Sequence, residues 1–354
     1  MERPEFYDLD HYDYELPREL IAQHPLANRA DARLLVVDRS SGTWTDSHVR
    51  DLPHWLRPGD CLVVNDSRVV PARLVGRRDR TGGRWEGLFL EAEEHGFWRV
   101  LCKTRGKLEP GESITVRSYD GSRQLVLRLV ARREAGEWVA LPDESDRSPW
   151  ELLEMVGRVP LPPYIRGGQM RPEDVQRYQT VYASQPGSVA APTAGLHFTE
   201  ELLTKIRARG VTVARVTLHV GVGTFRPIMT RRISEHKMHG EWGTISAETV
   251  AQIQQARQSG GRCVAVGTTV VRLLETAARS GQLQPWSGKT ELYIHPPFTF
   301  YAVDCLMTNF HLPRSTLLVL VRTFGGDVLI RRAYEHAVAE RYRFYSYGDA
   351  MLIL

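Results

Sequence analysis

Apolar and polar positions fall into two textures along the chain. In residues 33–66, and again beyond residue 150, continuous apolar runs such as LLVVD and CLVVND alternate with helical spacing, the pattern of buried strands and amphipathic helices. Pro17 and Pro25 bracket a short helical turn, Gly42 marks a turn, and HVRDLPHWLRPGD reads as a helical stretch stopped at Pro58-Gly59. Between residue 69 and about 142 the runs shorten and alternate. RWEGLFLEAEE, FWRVLCKT, ESITVRS, QLVLRLVARR and EWVALP, separated by Gly, Pro-Gly or Asp-Gly turns, predict a small antiparallel β domain or barrel. GRVPLPPYIRG (157–167) predicts an extended polyproline segment crossing back over the main domain. Helices follow at 199–209, after a Ser246 cap, after Gly267-Thr268-Thr269, after Ser315-Thr316 and at IRRAYEHAVAERY, with strands at VTVARVTLHV and GRCVAV and an apolar AMLIL at the end. The pattern therefore predicts an α/β fold. A main α/β, barrel-like domain (residues 1–68 and 150–354) is interrupted by a smaller inserted antiparallel β-barrel domain (69–149).

Charge changes the picture more than bulk composition does. The chain carries a net +4 over 354 residues, but Arg73–Arg133 holds 14 Lys and Arg against eight acids, a local +6 that leaves −2 for the rest. A basic β domain fits contact with a phosphate backbone, and a solvated strand face fits the same composition. Four widely spaced cysteines contain no CxxC pair, which points to a reduced, cytosolic setting and away from zinc ribbons. The acidic, aromatic N-terminal stretch lacks the apolar core of a signal peptide, and no apolar run reaches the ~18 residues of a membrane span.

Chemistry-bearing residues gather where predicted strands end: Asn65, Asp66 and Arg68; Ser188, Thr193 and His197; Gly223, Thr224 and Arg226; Thr268, Thr269 and Arg272; Asn309, His311 and Arg314. Such positions carry binding groups in α/β proteins, so these loops are expected to line a single cleft. An Asx-turn at Asn65 and an ordinary loop at GSVAAPTAGLHFTEELL are the alternatives. In that loop Gly187, Gly195 and several alanines leave the backbone open to close approach, and Thr199 starts a helix. Glu235, His236, His239 and Glu241 cluster in SEHKMHGEW, where the two histidines are expected near one face of a helix. No HExxH string and no third ligand accompany them, so hydrogen bonding is the stronger reading than a metal. Gly221-x-Gly223 lacks the third glycine of a dinucleotide fingerprint, and no nucleophile elbow or Walker loop occurs.

YELPRELIAQHPLANRADARLL, DLPHWLRPGDCLVVNDSRVVPARL, GRVPLPPYIR, RYQTVYA, GSVAAPTAGLHFTEELL, VTLHVGVGTFRP, EHKMHGE, TNFHLPRSTLL and YRFYSYGDAMLI occur in this order. Together they resemble the S-adenosylmethionine:tRNA ribosyltransferase-isomerase (QueA) family of queuosine biosynthesis, over essentially the full chain. Val270 stands where that family has a hydroxyl in a Ser-Val-Arg string, and Pro297 where glycine is usual. The resemblance implies transfer and isomerisation of the ribosyl moiety of S-adenosylmethionine onto 7-aminomethyl-7-deazaguanine at a tRNA wobble position. Epoxyqueuosine forms, and adenine and methionine leave. S-adenosylmethionine is then a consumed co-substrate, with no separate cofactor and no metal, and the enzyme a cytoplasmic monomer. The reaction needs a base for the ribose C–H beside sulfur, an acid or hydrogen bond for adenine, aromatic walls such as Phe198, Phe225 or Phe310, and an arginine for the methionine carboxylate. His197, His311 and Asp349 are the implied proton-transfer set, with His236 and His239 competing. The strand-end residues above, with Glu235, His236 and His239, form the implied substrate set. Arg77, Arg78, Lys103, Arg105, Lys107 and Arg166 are the implied tRNA contacts. A non-catalytic RNA-binding protein and a metal-dependent hydrolase built on His236 and His239 are the rival readings.

Overall fold

A computed structural model describes residues 4–221 and 228–354. In chain order the elements are β1 (Arg33–Asp38), β2 (Thr43–His48), α1 (Leu52–Trp55), β3 (Cys61–Asn65), β4 (Ser67–Val69), β5 (Arg73–Arg78), β6 (Arg84–Ala92), β7 (Trp98–Thr104), β8 (Ser113–Arg117), β9 (Gln124–Arg132), β10 (Glu137–Pro142), α2 (Pro149–Val156) and α3 (Asp174–Arg177). There follow β11 (Gln185–Ser188), α4 (Glu200–Ala208), β12 (Thr212–Leu218), β13 (Glu241–Ile245), α5 (Ala247–Gln258), β14 (Cys263–Val266), α6 (Thr268–Ala277), β15 (Trp286–Thr290), β16 (Cys305–Asn309), α7 (Thr316–Gly325), α8 (Asp327–Ala339) and β17 (Ala350–Ile353). The chain forms two compact units. One comprises Met1–Arg68, Arg177–Gln185 and Ala191–Leu354, the other Val69–Gln176 and Pro186–Ala190.

In the first unit, nine strands among the described residues form one mixed sheet in the order β15-β13-β12-β3-β14-β16-β17-β1-β2. Strands β12, β3, β14 and β16 run parallel to their neighbours in that order. β3, β14, β16 and β17 are buried at every position, which is why their sequences read as unbroken apolar runs rather than alternating ones. The core draws on Leu34, Val36, Leu62, Val64, Val264, Val266, Met307 and Leu352 from the sheet, with Leu202, Leu203 and Ile206 of α4. Three helices start where local chemistry predicts. Thr199, Ser246 and Ser315 each accept a hydrogen bond from an amide three residues on, which satisfies one of the orphan donors of the first turn.

The second unit contains a closed six-stranded antiparallel barrel, β10-β7-β6-β5-β8-β9. Burial alternates along β9 and β10, so one face of each strand fills the interior with Trp85, Phe89, Trp98, Ile114, Leu127 and Trp138. Leu152, Leu153 and Val156 of α2 join this core.

Several local expectations need correction. HVRDLPHW yields only one 3-10 turn and the four-residue α1, which carries Pro53 in its first turn and ends where Leu56 adopts extended backbone ahead of Pro58. Beyond the turn at Gly42 lies the polar strand β2. It pairs antiparallel with β1 at the sheet edge and is largely exposed, and an edge strand has no apolar run to announce it. His236 and His239 lie on no helix. After a 3-10 turn at Ile233–Glu235, His236 adopts extended backbone and the chain enters β13.

Candidate active site

The carboxyl end of β3 folds back on itself. Asn65 Oδ1 accepts from the Ser67 amide at 3.1 Å and the Leu218 amide at 3.0 Å, while Nδ2 donates to the Leu218 carbonyl at 2.9 Å. The first bond is an Asx-turn, and the other two pin β3 to β12. Asp66 is buried and accepts from Thr217 Oγ1 and Ser184 Oγ, both at 2.7 Å. It also lines a cleft of about 380 Å3 with Arg215, Thr244, Ser246 and Glu248. Ser67, which is fully buried, lies 2.8 Å from His219 Nδ1. His219 stacks on Trp242, ring centroids 5.5 Å apart and planes 18° from parallel. Arg68 is exposed. His219 escaped the sequence reading because a histidine at the end of VTVARVTLHV carries no local signal of a partner 152 positions earlier.

The end of β16 is a second hub. Asn309 Oδ1 accepts from Thr193 Oγ1 at 2.8 Å, and Nδ2 reaches His197 Nε2 and the Tyr345 carbonyl, both at 3.2 Å. The carbonyl sets the amide orientation, so His197 Nε2 accepts and its proton sits on Nδ1. Burial, reinforced by Arg343 and Arg29, pushes His197 down to about 4, and it is therefore neutral at physiological pH. His197 lines a cleft of about 20 Å3 with Arg29, Arg177, Ser346 and Tyr347, room for about one water. Gly195 is required for packing rather than ligand approach. A Cβ there would stand 2.1 Å from the Tyr182 hydroxyl.

Several of the remaining expected groups are engaged within the protein. Asp349 accepts from the Arg33 and Arg343 amides at 2.9 and 2.8 Å, and burial raises its pKa. His311 Nε2 lies 2.7 Å from Thr308 Oγ1, and burial pushes it down to about 3. Thr268 and Thr269 are buried in the first turn of α6, whose preceding Gly267 would place a Cβ 3.7 Å from that of Ala194. This contact brings the loop before α4 against the end of β14. Arg272 does not present its guanidinium to a ligand. It is buried, ion-paired with Glu241 and donates to the Leu292 carbonyl at 3.0 Å. Arg314 is half-exposed and pairs with Asp10 at 3.1 Å. Glu235 and His239 are exposed, and His236 packs edge-on against Tyr293. Phe198 and Phe310 are core side chains with no exposed surface, not walls of an open cleft. Gly223, Thr224, Phe225 and Arg226 lie outside the described residues. Ser188, in the second unit, is buried and donates to the Ala190 carbonyl at 2.7 Å.

The strand-end geometry is accompanied by close relatives. Residues 9–353 match the model of a family described as queuosine biosynthesis protein. The chain belongs to that family. It is 51% identical to an S-adenosylmethionine:tRNA ribosyltransferase-isomerase of Symbiobacterium thermophilum, covering 98% of this chain and 99% of the relative. It is 52% identical to one of Acidithiobacillus ferrooxidans, covering 97% and 96%. The crystal structure of an S-adenosylmethionine tRNA ribosyltransferase from Thermotoga maritima matches with a TM-score of 0.56 at 37% identity, over 97% of this chain and 100% of that one. Membership supports neither the RNA-binding nor the metal-hydrolase reading. Among the described residues no group of three or more His, Cys, Asp or Glu is placed to hold a metal ion, and no helix is long and apolar enough to cross a membrane.

In the second unit the cations of the barrel fall into two groups. Arg77, Lys103, Arg105 and Lys107 are exposed. Arg78 is buried, clasps Glu112 through Nε and Nη2 at 2.5 and 3.0 Å, and donates to the Arg105 and Lys107 carbonyls at 3.1 and 2.9 Å. It holds the loop that carries two exposed cations and spends four of its five N–H donors inside the unit. Arg166 is largely buried, at 12% side-chain exposure, and is ion-paired with Asp174.

Proposed function

We propose that the chain is an S-adenosylmethionine:tRNA ribosyltransferase-isomerase. It transfers and isomerises the ribosyl moiety of S-adenosylmethionine onto 7-aminomethyl-7-deazaguanine at the tRNA wobble position, yields epoxyqueuosine, and releases adenine and methionine. It works as a cytoplasmic monomer that consumes S-adenosylmethionine and needs no further cofactor. The observation that carries this reading is identity of about half, end to end, with relatives bearing that name.

The charge state of the strand ends suits the substrate. A sulfonium would be repelled by free cations, and here His197 and His311 are neutral while Glu241 balances Arg272. Asp66, Thr193, Thr268, Thr269 and Asn309 then shape the nucleoside site as hydrogen-bonding groups, with Asn65 pinning β3 to β12 beside them. Nε2 of His197 and of His311 and both carboxylate oxygens of Asp349 are engaged by neighbours, so in this reading these residues hold the loops in register rather than exchange protons. The inserted domain, residues 69–149, grips the anticodon arm through Lys103, Arg105 and Lys107.

The test is adenine release, followed by chromatography, on mixing the protein with S-adenosylmethionine and tRNA carrying the 7-aminomethyl-7-deazaguanine base. One adenine per modified nucleoside is expected. Binding of tRNA without adenine release overturns the reading in favour of a non-catalytic RNA-binding protein.

A further inference from the structure

Among the strand-end histidines His219 is the partly buried one, whereas His197 and His311 are buried, and its contact with Ser67 uses only one ring nitrogen. Ser67 has no exposed surface, and His219 Nδ1 at 2.8 Å is the hydrogen-bond partner of its hydroxyl among the described residues. A buried hydroxyl proton left without an acceptor is strongly disfavoured, so Ser67 Oγ–H donates to Nδ1. The neutral ring therefore carries its proton on Nε2. Burial lowers the proton affinity of His219 while Asp66 opposes that, and the ring is neutral at physiological pH. Nε2 has no partner among the described residues, and His219 is only partly buried.

Three contacts fix where that N–H points. The Asn65 Asx-turn sets the Ser67 backbone. The His219 amide donates to the Trp242 carbonyl at 2.9 Å, continuing the β12–β13 ladder. Trp242 stacks on the ring across that ladder and is itself 42% exposed, so an apolar aromatic surface on which a planar base can lie stands next to the donor.

We propose that His219 donates its Nε2–H to N3 or N7 of the adenine of S-adenosylmethionine, and that Ser67 is the positioning residue that sets its tautomer. The proposal rests on the transferase reading above. When the C1′–N9 bond breaks, its electron pair leaves with the purine and spreads onto N3 and N7. A fixed, uncharged donor there stabilises the departing base more than the bound one and adds no positive charge beside the sulfonium. No proton needs to change hands in that step.

Single-turnover adenine release at saturating S-adenosylmethionine and precursor tRNA tests this, with S-adenosylmethionine and its 3-deaza and 7-deaza analogues as co-substrates. His219→Ala should slow release of adenine by about 100-fold, and one analogue should slow the wild-type enzyme by a similar factor. In His219→Ala that same analogue should then react no more slowly than S-adenosylmethionine itself. His219→Gln, which keeps an N–H donor, should recover part of the rate, and Ser67→Ala should lose roughly tenfold with the analogue pattern weakened. Wild-type tRNA affinity reports that each variant is folded. If His219→Ala does not fold, His219→Gln with the two analogues gives the same comparison. Rates within threefold of wild type, or variant and analogue losses that multiply, overturn the proposal. Absence of adenine release from the wild-type enzyme would instead overturn the transferase reading itself.

Discussion

At the scale of single residues, the site is governed by which polar atoms are already spent. His197 looks catalytic in a row of small residues, yet its Nε2 accepts from Asn309 and its surroundings keep it neutral. His311 is neutral for the simpler reason that it is buried. Both histidines ionise near 6.5 in an unfolded chain and only near 4 and 3 here, so the unfolded state binds more protons as pH falls below 6.5. Stability is therefore full above that pH and is lost on acidification, by roughly 3 kcal/mol from His197 alone by pH 4. Urea unfolding across pH 6.5 to 4 should show the loss, and His197→Gln should show about 3 kcal/mol less of it. Parallel curves for the two proteins would contradict this account. The same commitment sets the kinetic expectation. At saturating substrates His197→Ala should retain adenine release within about tenfold of wild type, since general acid–base groups are worth 10²–10⁴. A loss of a thousandfold in that single-turnover assay would return His197 to the proton-transfer role.

At the scale of elements, local signals were legible and paired ones were not. The caps at Thr199, Ser246 and Ser315 could be read because donor and acceptor lie three residues apart. The roles of Arg78 and Arg272 could not. Their carboxylates, Glu112 and Glu241, lie 34 and 31 residues away along the chain, and a run of sequence shows an arginine without showing what faces it. The Arg78 clasp joins β5 to the Arg105–Lys107 loop from inside the second unit. Arg78→Met should leave Glu112 buried without its partner and cost about 3–5 kcal/mol in chemical denaturation. Adding Glu112→Leu should restore most of that. A single variant as stable as wild type would show that the clasp contributes nothing.

For the whole molecule, the useful quantity is where the charge lies rather than its total. The +6 of Arg73–Arg133 lies within the barrel unit, but burial removes Arg78 from the count available to a polynucleotide. Exposed Lys103, Arg105 and Lys107 remain. Their combined reversal to glutamate should weaken tRNA binding and flatten the dependence of log K on log salt by about two to three. Arg77→Glu tests a fourth exposed cation in the same assay. An unchanged salt slope would move the tRNA surface elsewhere.

The order of apolar runs was enough, by itself, to determine the α/β class, the inserted β domain and the helix starts. These depend on periodicity and on contacts a few residues long, which the chain carries in one dimension. Colinear motifs were enough to point to the family. Tertiary structure alone decided which strand-end groups are free. Asn65, Asp349 and Arg272 are consumed by partners that the sheet brings in from remote positions, and His219 meets Ser67 only because β12 runs beside β3. A side chain's chemistry depends on its neighbours' donors and acceptors, and in a sheet those neighbours are set by strand order rather than by position along the chain.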